Sequence, residues 1–414
     1  MTDKGNGIIK CALRYAGLFI GMLVAFTVLS TLSYCIPQQA VHRNALESRL
    51  ILNSEGKYPR FLTHFIQKDN FTDNLMLEIA DYAPANSAPQ NAFRGTMLNN
   101  FYYDEGSLID LRNPEGRGSE LSQYARYWHG YLLPLRLQLT YTDIRGIRLT
   151  NYVLMAILMV MAVSLLWRRI SAGAACMFAL AVSAVGFPLV PGCMQFSTCF
   201  YIMLAAVIAV MTFPKLTRNN SVFYMTMFVT GGITSYMDFL TTPIITLGFP
   251  LAVTCLLRPG GRNIAFALKA SVAWGAGYGS LWASKWVMAS LATGANVLTD
   301  ASDSIRQRTS DTAGMSDLFL AVAPYICAVA ALALITALLC VLFRKDNTAP
   351  RRYSYLVLIG FYPVAWYLVL RNHSLWHYWF TWRALSLSLF CWGLYALRVI
   401  DFNRFKLHPC KQKE

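Results

Sequence analysis

About ten apolar runs set the limits on this fold. They lie near 15–36, 151–167, 172–190, 198–214, 221–238, 242–257, 264–292, 317–343, 353–370 and 384–400. A bilayer core about 30 Å thick takes roughly 20 apolar residues of helix. Backbone polar groups in lipid have no water to bond, so such runs must pair internally as helices. The expected fold is an all-α polytopic membrane protein with about ten transmembrane helices. Charged residues make up 14% of the chain, against about a quarter in soluble domains. The net charge of +15 does not point to nucleic acid, because the basic residues punctuate the apolar runs instead of gathering on a soluble domain.

That punctuation gives an orientation. Lys4, Lys10 and Arg14, then Arg168 and Arg169, Lys215 and Arg218, Arg258 and Arg262, Arg344 to Arg352, and the tail with Arg404 and Lys406 all fall on one side if every run crosses. Cytoplasmic loops are enriched in Lys and Arg. Both termini are expected in the cytoplasm, with the protein in a bacterial plasma membrane. The chain divides into residues 1–36 (cytoplasmic N-terminus and first helix), 37–150 (an extracytoplasmic cap loop), 151–400 (the remaining bundle) and 401–414 (a basic tail).

The segment 37–150 is the one long polar stretch, and it contains most of the acidic residues and no cysteine. Residues 43–52 and 71–82 have amphipathic patterns, and 83–89 (APANSAP) has the composition of a linker. Residues 124–139 (YARYWHGYLLPLRLQL) mix aromatics, leucine, Pro134 and Arg136. That mixture fits a helix lying at the membrane interface, where rings and Arg favour the headgroup level. Most of the ten cysteines lie inside apolar runs, so no disulfide framework is legible.

Few residues are placed to carry chemistry. In Gln67-Lys-Asp-Asn-Phe-Thr-Asp-Asn74 two carboxylates, Asp69 and Asp73, stand four apart. On a helix they share a face and can act at one site, one as a general base. Equally, Asp69 can cap a helix that starts near Phe71. Asp238 lies between two runs at membrane depth, where an acid is costly, or else caps the run from Thr242. Lys285, in an apolar run after Gly275, Gly277 and Gly279, either snorkels to the interface or faces an anionic headgroup. Those glycines allow either close helix packing or a break. The last outer loop, 371–383, packs Arg371, His373, His377 and Arg383 among aromatics. Aromatic faces suit a sugar, and Arg forks suit a phosphate. The His373–His377 spacing also suits a metal, but no Glu completes an H-E-x-x-H motif. His129 and the acidic pair Asp104-Glu105 are further cap candidates. No cofactor is implied, and a divalent cation has no evident ligand set.

The layout resembles the C-type (GT-C) superfamily of membrane glycosyltransferases. Two stretches carry the resemblance: the acid motif at Asp69 and Asp73, and residues 129–150 (HGYLLPLRLQLTYTDIRGIRLT), which look like an interfacial helix entering the second span at Arg148-Leu149. The resemblance implies sugar transfer from a polyprenyl-phosphate donor to an extracytoplasmic glycan, lipid or protein, of the kind found in cell-envelope polysaccharide biosynthesis. It implies an acidic base in this loop, with inversion at the anomeric carbon; Asp73 is preferred to Asp69 because the apolar run Leu75-Met76-Leu77 that follows can seat it against the membrane. Arg383, Arg371, His373, Lys285, Asp238 and His129 would line the substrate and phosphate site. This chain departs from the family in placing its acids more than thirty residues beyond the first helix. The rival readings are a flippase or transporter of a lipid-linked substrate, and a polysaccharide polymerase or ligase. The first predicts polar residues through the membrane depth, which 172–190 and 317–343 lack. The second differs in using oligosaccharide-linked carriers.

Overall fold

Within the described residues the apolar runs fold largely as helix in the computed structural model, which describes residues 2–61, 66–84, 87–98, 107–258, 264–310 and 323–402, with 316 and 320. The chain is 78% helical. The pair Asp104-Glu105, Arg262 and the tail after 402 lie outside the described residues. Helix α1 (Thr2–Cys35) runs unbroken to the turn before Pro37. The cap follows, with α2 (Gln38–Glu55), α3 (Asn70–Asp81), α4 (Ala88–Arg94), a two-stranded antiparallel ribbon of β1 (Thr96–Leu98) and β2 (Leu121–Gln123), and α5 (Leu132–Leu139). In the ribbon Thr96 pairs with Gln123 and Leu98 with Leu121. Then come α6 (Ile144–Arg169), α7 (Ala172–Ala184), α8 (Met194–Thr212), the short α9 (Pro214–Arg218), α10 (Asn220–Met237), α11 (Ile244–Leu257), α12 (Ile264–Thr293) and α13 (Val297–Thr309). The C-terminal part has helices at Ala323–Leu342, Ser354–Gly360, Tyr362–Val369 and Ser386–Val399, with two short turns of helix, Arg371–Trp376 and Tyr378–Thr381, between the last two.

Among the described residues three helices are long and apolar enough to cross a membrane: Ile9–Cys35, Ile144–Arg169 and Met194–Thr212. Others, such as α7 and α11, are shorter apolar helices. The outward faces of α1, α6 and α12 carry large exposed apolar side chains, among them Leu13, Val160 and Val272. Exposed apolar side chains in such number along helix faces fit an interaction face in a soluble protein or contact with lipid. Helix α11 sits at the hub and is buried from Ile244 through Leu256.

The cap has its own core. Val41, Ala45 and Leu52 of α2 meet Met76, Leu77, Ile79 and Ala80 of α3, and Leu132, Leu135 and Leu139 of α5. Two sequence expectations change here. Residues 124–131 are not helical, and Arg136 does not reach toward headgroups. It is fully buried. Its guanidinium donates to the carbonyls of Ser33 (2.8 Å) and Ile36 (2.8 Å), where α1 ends, and to Ala80 in the last turn of α3. Helix C-termini leave carbonyls unpaired and carry partial negative charge, and a five-donor guanidinium satisfies both demands. Residues 83–89 are not wholly linker either, since α4 begins at Ala88.

Helices α10 and α12 touch backbone to backbone. A Cβ at Gly231 would lie 2.1 Å from the Trp274 carbonyl oxygen, and one at Gly277 would lie 1.9 Å from that of Phe228. Gly277 is therefore the glycine of its trio that permits close packing. Gly275 and Gly279 face open space, and α12 does not break. Small residues at such crossings allow tight van der Waals contact between apolar helices. Gly277→Leu should force the pair apart and cost at least the roughly 1–3 kcal/mol typical of overpacking, seen as a lowered midpoint of thermal unfolding in detergent. Gly275→Ala should leave the midpoint unchanged or raise it slightly, by about 0.5–1 kcal/mol of helix propensity.

Candidate functional site

Asp69 and Asp73 are both buried, and each does something the spacing alone did not reveal. Asp69 caps α3: Oδ1 accepts the Thr72 amide at 2.9 Å. Its other oxygen accepts the indole N–H of Trp379 at 3.1 Å. That contact joins the cap to the 371–383 segment across 310 positions of sequence. Tyr58 of the cap packs on the same indole, with ring centres 5.2 Å apart. Burial raises the Asp69 carboxyl above its ordinary value, opposed by the Thr72 and Trp379 hydrogen bonds and by the charge of Arg383.

Asp73 points at the start of α8. Oδ2 accepts the Met194 amide at 3.0 Å, and Oδ1 accepts the Gln195 amide at 3.1 Å and the Cys193 thiol at 3.5 Å. Free N–H groups and partial positive charge at a helix N-terminus favour such a carboxylate. Burial nonetheless pushes its pKa up to about 6, with Arg148 as the largest opposing influence. Arg148 is itself held by both oxygens of Glu55, and donates to Asn70 Oδ1 at 3.2 Å.

Arg383 is fully buried beside this pair. Its guanidinium carbon lies 3.9 Å from the centre of the Phe196 ring, and Nη1 donates to the Trp379 carbonyl at 2.8 Å. Asp69, Asp73, Trp379 and Arg383 thus share one buried locus under the cap. His373 and Asp238 form an adjoining part. His373 Nε2 donates to the Leu240 carbonyl at 2.9 Å, and Asp238 closes the turn that carries Leu240 by accepting the Thr241 amide at 3.0 and 3.2 Å. His377 bridges the two parts, its ring 4.8 Å from His373 and 5.4 Å from Trp379. Burial holds His373 well below the usual imidazole range, and burial with the Arg308 charge takes His377 down to about 4. Arg371 is half-buried at the start of this segment.

Two residues expected at the site are engaged elsewhere. Lys285 is fully buried and its ammonium donates to the carbonyls of Ala92 (3.3 Å) and Phe93 (3.1 Å), in the last turn of α4. The rings of Phe93 and Trp128 flank it at 4.8 and 5.7 Å. It neither snorkels nor faces a headgroup, but ties α12 to the cap. His129 takes a left-handed backbone (φ 55°). Its Nε2 donates to the Tyr124 carbonyl at 2.7 Å and its Nδ1 accepts from the Tyr131 hydroxyl at 3.3 Å. Both ring nitrogens are satisfied, and burial lowers its pKa to about 3.

Tyr58 and Arg308 did not emerge from the sequence, and Trp379 emerged only as one of the aromatics of 371–383. Arg308 sits near the end of α13, its guanidinium 5.8 Å from the Tyr127 ring. The available signal was Arg306 and Arg308 in a segment expected on the outer side, where basic residues are otherwise scarce in the short loops. Among the described residues no group of three or more His, Cys, Asp or Glu side chains is placed to hold a metal.

A cavity of about 290 Å³ opens between α5, α6, α8 and α10, lined by Met76, Pro134, Gln138, Asn151, Met194 and Tyr201. Met194 is the residue whose amide Asp73 holds, so the cavity abuts the acid cluster. Its wall is mostly apolar. No protein-family model, curated protein or solved structure matches this chain.

The Asp73 contact makes a stability prediction. The native carboxyl titrates near 6, and an unfolded one near 3.9. Between those values the folded chain binds the proton more tightly, so stability falls as pH rises through that window, by roughly 3 kcal/mol at most. Asp73→Asn should flatten this dependence while keeping one acceptor for the α8 amides. Asp73→Ala should cost about 1–3 kcal/mol, since the buried amides lose their acceptor. Thermal unfolding of the three proteins between pH 4 and 7 measures both effects.

Proposed function

We propose that the chain is a polytopic membrane glycosyltransferase of the C-type class. In this reading about ten helices cross the plasma membrane of a bacterium, both termini are cytoplasmic, and the cap lies outside. The supporting observation is the meeting of Asp69 from the cap with Trp379 and Arg383 from the last outer loop. A buried acid, a guanidinium and aromatic faces are what transfer from a phosphate-linked sugar requires.

The donor is a polyprenyl-phosphate sugar, with the cavity beside α5 giving its lipid part lateral access. The acceptor is a hydroxyl of an extracytoplasmic glycan, lipid or protein. Asp69 is the preferred base over Asp73, because Asp73 holds two backbone amides of α8, whereas one Asp69 oxygen meets only the Trp379 side chain in the aromatic segment. The acceptor oxygen attacks the anomeric carbon, its proton passes to Asp69, and the bond from that carbon to the phosphate oxygen breaks. The electron pair leaves with the polyprenyl phosphate, whose growing charge Arg383, with Arg371, stabilises. Burial makes Asp69 more basic than an exposed carboxylate, which suits proton transfer near neutral pH. A single base that delivers the acceptor to the face opposite the leaving group gives inversion.

The test is transfer of radiolabelled sugar from decaprenyl-phosphoryl hexoses by protein in nanodiscs. Asp69→Asn should lower kcat about 10²- to 10⁴-fold, the usual worth of a general base. Arg383→Ala should lower kcat/KM with unchanged expression. Lys285→Met should lose stability but keep its kcat, because its ammonium serves α4. Full activity in both Asp69→Asn and Arg383→Ala would sink the assignment. Use of oligosaccharide-linked carriers alone would favour a polymerase or ligase, and donor movement without consumption would favour a flippase.

A further inference from the structure

The turn at 238–242 and the helix turn at Arg371–Trp376 leave a hydrogen-bonding position unused. Leu240 takes a left-handed backbone, φ 65°, which is uncommon for a bulky side chain and is held only where surroundings enforce it. Here Asp238 enforces it by gripping the Thr241 amide. The turned peptide presents its carbonyl to His373 Nε2 at 2.9 Å. A carbonyl only accepts, so Nε2 carries the proton and Nδ1 is left as a bare acceptor. That nitrogen is buried and has no hydrogen-bond partner, and the same is true of His377 Nδ1 on the neighbouring ring. His373 is 2% exposed. Buried polar atoms in native folds are nearly always paired, and an exception calls for an explanation, of which a bound donor is one.

The missing partner must be a donor. The charged groups around these rings are Arg308, whose charge opposes protonation of both, and Asp238 beneath the turn. With the imidazoles neutral, a phosphate oxygen meets only a lone pair at Nδ1. A hydroxyl meets an acceptor. Phe380 stacks on His377 at 5.0 Å and Trp379 meets its edge at 5.4 Å, adding apolar ring surface. We propose that His373 Nδ1, with His377 beside it, is a hydroxyl-recognition position that accepts a hydrogen bond from a saccharide, and that it is not part of the phosphate site. The choice of a saccharide rests on the glycosyl-transfer reading.

The test is saturation-transfer NMR on the full chain in nanodiscs. The probes are methyl α-D-mannopyranoside, methyl β-D-glucopyranoside and methyl β-D-galactopyranoside, their permethylated forms, and inorganic phosphate. At least one free glycoside should receive saturation, while its permethylated form, which has no hydroxyl, should not. Phosphate should not compete. Two substitutions separate recognition from architecture. His373→Asn keeps an acceptor near the Nδ1 position but falls short of Leu240. His373→Gln keeps a donor toward Leu240 but no acceptor at Nδ1. Recognition predicts a loss of about tenfold or more in the Gln variant and a smaller loss in the Asn variant, because a site built for a hydroxyl discriminates through that bond. The reverse order, equal effects, or no saturation of the unmodified protein overturns the inference. The His373 Nδ1 nitrogen-15 shift of the unmodified protein is a check independent of folding in the variants. It should move upfield on adding the glycoside, and a static shift overturns the inference. Transfer activity without glycoside binding leaves the transferase reading standing and removes this one. Binding dependent on His373 without transfer does the opposite.

Discussion

The carboxylate of Asp73 rests on the N-terminus of α8, and the register between cap and bundle follows from that contact. Helix α8 starts abruptly after the turn Phe187–Gly192, with no side-chain cap of its own. Its first amides are buried and would be unpaired without an acid from another element. The cap supplies one from the first turn of α3. Because Asp69 precedes it by four residues and caps α3 itself, fixing Asp73 also fixes Asp69 beneath the 371–383 loop.

The same physical device recurs with opposite sign. Arg136 fills the carbonyl-rich ends of α1 and α3, and Lys285 fills that of α4. Anions belong at helix N-termini and cations at C-termini, for reasons of both dipole and unpaired backbone groups. Each of these charges is buried, and each would be costly if unpaired. Their partners are backbone atoms of distant elements, so together they tie the cap to the apolar helices. In the linear chain all three have the appearance of catalytic or interfacial residues.

What remains after these pairings is a smaller and better-defined locus. Asp69 faces Trp379, Arg383 lies over Phe196, and the His373–His377 pair stands beside them with Arg308 in range. The acid side and the imidazole side share the aromatic wall of Trp379 and Phe380. In the proposed reaction, proton acceptance and charge stabilisation fall on one side of that wall, and the proposed hydroxyl recognition on the other. The cavity at Met194 opens next to the acid side.

The sequence by itself determined the helical character, the division between a polar cap and apolar helices, and the helix that begins beside Asp69. These follow from local quantities: run length, amphipathic period, capping residues and the distribution of Lys and Arg. It also marked 371–383 as chemically dense. It did not distinguish Asp69 from Asp73, because their difference is the helix end that one of them meets 120 residues away. It did not show Lys285 and Arg136 to be structural, because backbone carbonyls carry no signature in the side-chain sequence. Only tertiary structure decided those roles, since the partner of a buried charge is chosen by packing in three dimensions and not by spacing along the chain.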